Sequence, residues 1–164
     1  INECDNVIVT QTFSKSRSLA GLRVGMAFGS ASLIEALTRM KNSFNSYPLD
    51  KLAQAGATAS VLDVDYFDQT RQQVIDLRTS LTEELTALGY KVLPSHANFI
   101  FARPKDGNAS AVASALRDQG IIVRHFDKPR ISEYLRITVG TAEQHERLID
   151  TLKELHTETS MTAD

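Results

Sequence analysis

Cysteine is nearly absent: Cys4 is the single one among 164 residues, so no internal disulfide can form and a reducing, cytoplasmic setting is expected. Long apolar runs are missing too. None approaches the roughly 18 residues a membrane span needs, and no membrane association is expected. Neither sign of charge dominates, with 18 Lys+Arg against 20 Asp+Glu and a net charge of −2. A nucleic-acid partner would call for a broad basic footprint, which this balance excludes. His96, His125, His145 and His156 lack metal-ligand spacing, and no metal is expected. His145 and His156 are read as lying on a surface helix. There is no internal repeat and no low-complexity tract. What remains is an ordinary globular composition, 42% hydrophobic and 23% charged, long enough to bury roughly 70% of its unfolded surface.

The chain opens Ile1-Asn2-Glu3 without an initiator methionine and soon enters Val7-Ile8-Val9. The continuous β-branched run to Thr10 reads as a strand of a buried, mostly parallel sheet. With nothing before it to pair against, the chain reads as a piece of a longer protein. A Ser- and Gly-rich loop spans 12–21, a second strand 23–28, and a helix capped by Ser30 or Ser32 runs to about Lys41. A connection at 42–48 leads into a helix whose Ala53, Ala55, Ala57 and Ala59 suit close packing. Asp65 is the expected cap of a long amphipathic helix stopped by Gly89. Strands are expected at 90–93, 98–102, 121–124 and 134–139, with an Asn108-capped helix ended by Gly120. Thr141-x-x-Gln144 is a capping box for a helix through Leu155, and 157–164 reads as a polar tail. Residues 1–47 thus resemble part of one α/β layer, 48–62 a bridging helix, and 63–156 an α+β unit.

The chemistry concentrates in Thr12-Phe13-Ser14-Lys15-Ser16-Arg17-Ser18-Leu19-Ala20-Gly21-Leu22-Arg23-Val24-Gly25. A lysine amine freed by a lowered pKa can form a Schiff base. The hydroxyls of Thr12 and Ser14 and the fork of Arg23 are what a phosphate needs. An aldehyde-seeking amine and a phosphate cradle in one loop point to pyridoxal phosphate, which is held at both ends.

That segment resembles the lysine-loop signature of the class II, fold-type I aminotransferases, S-K followed by G-x-R-x-G. Leu135-Arg136-Ile137-Thr138-Val139-Gly140-Thr141, Gly120-Ile121-Ile122-Val123-Arg124 and Ala97-Asn98-Phe99 resemble the histidinol-phosphate aminotransferases in particular, in the same order. Two positions depart from the pattern: Arg17 and Met26 stand where an aromatic residue is common. The resemblance implies an α/β fold, the C-terminal part of a fold-type I transferase. In it 1–47 belong to the cofactor-binding large domain and 63–156 to the small domain. It further implies that Lys15 is catalytic and holds the cofactor, and that Ser14, Arg23 and Thr12 bind its phosphate. Arg136 then takes the substrate carboxylate and Arg124 the substrate phosphate.

The implied reaction is L-histidinol phosphate plus 2-oxoglutarate to imidazole-acetol phosphate plus L-glutamate, a step of histidine biosynthesis performed by a homodimer on small amino and keto acids. A related aromatic or other amino-acid aminotransferase, a phosphothreonine decarboxylase, and a non-catalytic ligand-binding or dimerising fragment are the alternatives. In such proteins the groups that hold the pyridinium nitrogen, stack on the ring and bind its phenolic oxygen lie ahead of the position of Ile1. The chain by itself is therefore expected not to transaminate.

Overall fold

The structure, a computed structural model, describes residues 3–161. The opening Ile1-Asn2 and the last three residues of the expected tail lie outside the described residues. The chain forms two compact units, Ile1–Arg71 and Gln72–Asp164.

In the first unit, β1 (Val9–Thr12) and β2 (Gly25–Phe28) pair antiparallel, with Val9 opposite Phe28 and Thr12 opposite Gly25. This corrects the expectation of a buried parallel strand. The two strands are joined by only a twelve-residue loop carrying a 3₁₀ turn at Ala20–Leu22. That loop holds no α-helix to carry the chain across the sheet, as a parallel pair usually requires, and it returns the second strand antiparallel to the first. Both strands are exposed along their length. Their apolar run is the pattern of a strand covered on both faces, and among the described residues of this unit it stays partly exposed, Val9 39% and Phe28 43%.

Helix α1 (Ala31–Phe44) starts at Ser30 as expected, but the Ser30 hydroxyl donates to the Asp5 carbonyl at 3.1 Å instead of capping. Helix α2 (Lys51–Leu62) is capped by Asp50, whose carboxylate accepts from the Ala53 amide at 2.7 Å. Ala53 is buried with Phe13 and Val24, and Leu19, Leu22, Leu49 and Ala57 pack around them. Ala55 and Ala59 face outward, so the close packing expected of all four alanines falls to two. Helix α3 (Val64–Ala87) follows at once. Its first main-chain bond runs from Phe67 to the Asp63 carbonyl, 3.3 Å, which places the start before the expected Asp65.

The second unit packs a four-stranded antiparallel sheet against helices. Strands β3 (Lys91–Val92), β4 (Phe99–Arg103), β5 (Arg124–His125) and β6 (Leu135–Thr138) lie in the order β3-β4-β6-β5. Alternation sorts the faces. Ile100, Ala102, Leu135 and Ile137 are buried against Leu81 and Leu85 of α3, Leu116 of α4 (Ala109–Asp118), and Leu148, Ile149 and Leu152 of α5 (Ala142–Met161). The opposite face carries Phe99, Phe101 and Arg136. Gly89 stops α3 at φ +87, where the Tyr90 amide bonds back to the Leu85 carbonyl at 2.9 Å. Only glycine adopts that conformation without strain. The capping box forms reciprocally: Gln144 N donates to Thr141 Oγ1 at 3.3 Å, and Thr141 N donates to Gln144 Oε1 at 3.1 Å. α5 then continues through Met161, so 157–161 are helical rather than a tail.

His145 and His156 are not surface residues of α5. The His145 side chain is 9% exposed and its Nε2 lies 3.2 Å from Glu84 Oε1, too poorly aligned for a hydrogen bond. His156 stacks on Tyr90 with ring centroids 5.6 Å apart. Among the described residues, no cluster of three or more metal-ligating side chains occurs and no helix is long and apolar enough to cross a membrane.

Candidate functional site

The loop from the end of β1 to the start of β2 is built as a cradle. Phe13, at its mouth, is 3% exposed, and its amide donates to the Val24 carbonyl at 3.1 Å. That buried pair closes the loop and turns Thr12, Ser14 and Lys15 to one end of the hairpin. Leu19 N returns to the Phe13 carbonyl at 3.0 Å, and Ser18 N donates to the Lys15 carbonyl at 2.9 Å. The Lys15 side chain stands exposed on this framework.

Three of the sequence-derived residues can serve a phosphate here. Thr12 Oγ1 accepts from the Ser14 amide at 3.1 Å and gives its own hydroxyl proton to Ser14 Oγ at 2.9 Å. The Ser14 proton is thereby left to donate to an anion. Arg23 follows the 3₁₀ turn in a left-handed conformation, φ 54, with Nη1 donating to the Ala20 carbonyl at 2.9 Å. That bond uses one donor of the five a guanidinium carries. A Cβ added at Gly21 would meet nothing within 4 Å, so the backbone beside the arginine is open to a ligand. Two hydroxyls, a guanidinium and an amine on one loop are the donor set of a phosphorylated aldehyde's site, and the residues present fit pyridoxal phosphate.

In the second unit the structure brings Arg124 and Arg136 together. They are direct cross-strand partners on β5 and β6. Like charges so placed repel one another, and an anion between them is the natural relief. Both guanidiniums lie over one ring: Phe126 is 5.1 Å from the Arg124 carbon and 5.6 Å from that of Arg136. Phe99 lies 5.4 Å from Arg136. Phe101 stacks on Phe126 at 6.4 Å and meets Tyr134 at 5.9 Å. The two arginines therefore rise from an aromatic floor that adds cation–π attraction and leaves hydrogen-bond donors for a carboxylate or phosphate. Sequence reasoning missed Phe126. Its two-residue offset from Arg124, which returns a side chain to the same face of a strand, was the available signal.

The "Aminotransferase class I and II" family matches residues 1–152. The chain is 85% identical, over 94% of its length, to histidinol-phosphate aminotransferase 2 of Psychrobacter arcticus and covers 41% of that protein. The histidinol-phosphate aminotransferase structure from Clostridium acetobutylicum shares the fold with a TM-score of 0.85 at 18% identity, over 96% of this chain and 48% of that one. The enzyme of that name from Sinorhizobium meliloti, solved in complex with pyridoxal 5'-phosphate, matches with a TM-score of 0.76 at 23% identity, over 92% and 42%. This chain thus spans about two-fifths of the length of the curated relative.

Proposed function

The chain belongs to the class I and II aminotransferase family, and from that membership we propose that it carries the cofactor lysine and substrate arginines of a pyridoxal-phosphate-dependent histidinol-phosphate aminotransferase. The full protein would interconvert L-histidinol phosphate and 2-oxoglutarate with imidazole-acetol phosphate and L-glutamate, as a cytoplasmic homodimer. The observation that supports this reading is the Thr12–Arg23 loop, which carries an exposed Lys15, the linked hydroxyls of Thr12 and Ser14, and Arg23.

Pyridoxal phosphate, when bound, supplies a ring that accepts negative charge developing on the substrate's α-carbon. Ser14 and Arg23, with Thr12 orienting Ser14, hold the phosphate and fix the ring's position. Lys15 Nζ holds the aldehyde end. As a free amine, Lys15 Nζ would take the substrate's α-proton and hold it for return in the reverse direction. Arg136 holds the carboxylate of glutamate through paired hydrogen bonds. Arg124 receives the phosphate of histidinol phosphate. Two unlike substrates can then share one site.

Borohydride reduction of the full-length protein and peptide mapping test the reading. The pyridoxyl mass is expected on the peptide containing Lys15. Its appearance on Lys41 or Lys51, or on no peptide, would remove the assignment. Turnover with phosphorylated and unphosphorylated amino donors separates histidinol phosphate from the substrates of sibling aminotransferases.

A further inference from the structure

Arg17 has no part in the site just described, although it lies two residues after Lys15. It is half-buried. Its guanidinium carbon sits 3.7 Å from the centroid of the Phe67 ring, and Nη1 donates to the Ser60 carbonyl. Ser60 is in the last turn of α2, where carbonyls lack partners within the helix and the helix dipole favours a cation. Phe67 is in the first turn of α3. One side chain therefore ties the lysine loop to the end of one helix and the start of the next.

The loop has need of such a tie. Ser18, the next residue, is held at φ 55, a left-handed conformation that a side-chain-bearing residue keeps only where its surroundings impose it. Its amide donates to the Lys15 carbonyl, so Lys15's main chain is fixed by the same turn. An arginine suits the position because its plane lies flat on a ring while an edge N–H reaches a carbonyl. Lysine lacks the plane, and phenylalanine lacks the donor.

We propose that Arg17 is a positioning residue: it clamps the 13–19 loop to the α2–α3 junction and so sets where the Lys15 amine stands. The consequence for the amine rests on the reading of Lys15 as the cofactor lysine; the clamp itself does not. Both are tested in the full-length protein. In cofactor-free protein, Arg17→Ala is expected to raise hydrogen exchange at the Ser18 and Leu19 amides ~10-fold, with the Ala57 amide of α2 unchanged. Arg17→Lys gives an intermediate rise, and Phe67→Leu a smaller one in the same direction. In protein loaded with pyridoxal phosphate, Arg17→Ala is expected to move the pH midpoint at which the Lys15-bound cofactor's absorbance titrates.

Unchanged exchange at Ser18 and Leu19 overturns the proposal. So does an equal rise at Ala57, which would mean general loosening. A loop that loosens without moving the absorbance midpoint overturns the link to Lys15. If wild type shows no Lys15-bound absorbance, the cofactor reading fails, while the exchange result still decides the clamp.

Discussion

Phe126 holds two cations at once, and its removal ought to be felt by both substrates. Each cation–π contact at a half-exposed site is worth about 0.5–1 kcal/mol. Phe126→Leu in the full-length protein is accordingly expected to raise KM for both glutamate and histidinol phosphate by roughly two- to fivefold while kcat changes little. If Arg124 takes the substrate phosphate as proposed, Arg124→Ala forfeits charge-assisted hydrogen bonds of roughly 1.5–3 kcal/mol and is expected to weaken the phosphorylated substrate most. Steady-state kinetics with each substrate in turn separates the two patterns. A second residue governs alkaline behaviour. Burial, with a smaller contribution from the negative charge of Asp106, pushes the Tyr90 phenol up from 10.0 to about 12. The unfolded chain then releases this proton at lower pH than the folded one. The associated stability is intact below pH 10 and is lost as pH rises through about 12. The loss should be roughly 2–3 kcal/mol, and Tyr90→Phe should flatten that limb in urea titrations repeated from pH 9 to 12.

Among the elements, the start of α5 is the clearest case of local chemistry deciding structure. Thr141 and Gln144 satisfy each other's amides, so Thr141→Ala should cost about 1 kcal/mol, read as a lowered urea midpoint at unchanged slope. The stops at Gly89 and Gly120, the Asn108 cap and the capping box were legible in the sequence because each is a signal spanning four residues or fewer. The loop after β1 was legible as a loop because serine and glycine crowd residues 12–21. The direction of β1 was not, since an apolar run tells how many faces are covered in the native assembly and not which neighbour supplies the hydrogen bonds. Phe67 beneath Arg17 was also out of reach, as was the contact of Phe126 with Arg136, its offset from Arg124 being the one signal the sequence carried. Both contacts join residues brought close by the return of a helix or the register of a strand. His145 and His156 were misplaced because the apolar stripe of α5 is wide enough to draw flanking imidazoles toward α3 and Tyr90.

At the scale of the whole molecule the two units differ in how well they cover themselves. The second has a core running from Leu81 to Leu152. The first leaves Met40 70%, Phe44 95%, Tyr47 91% and Leu52 81% exposed, an apolar surface that seeks a cover. Residues 1–164 alone are expected to self-associate with rising concentration in light-scattering chromatography, whereas 72–164 remain monomeric. The cross-strand arginines set a different global property. A fold selected for durability alone would not align two cations on neighbouring strands, so under the proposed function this alignment trades endurance for binding. Arg124→Thr should therefore melt roughly 1–3 °C higher than wild type in the absence of ligand. That advantage should reverse once inorganic phosphate is added at saturating concentration, because only the paired arginines gain from it.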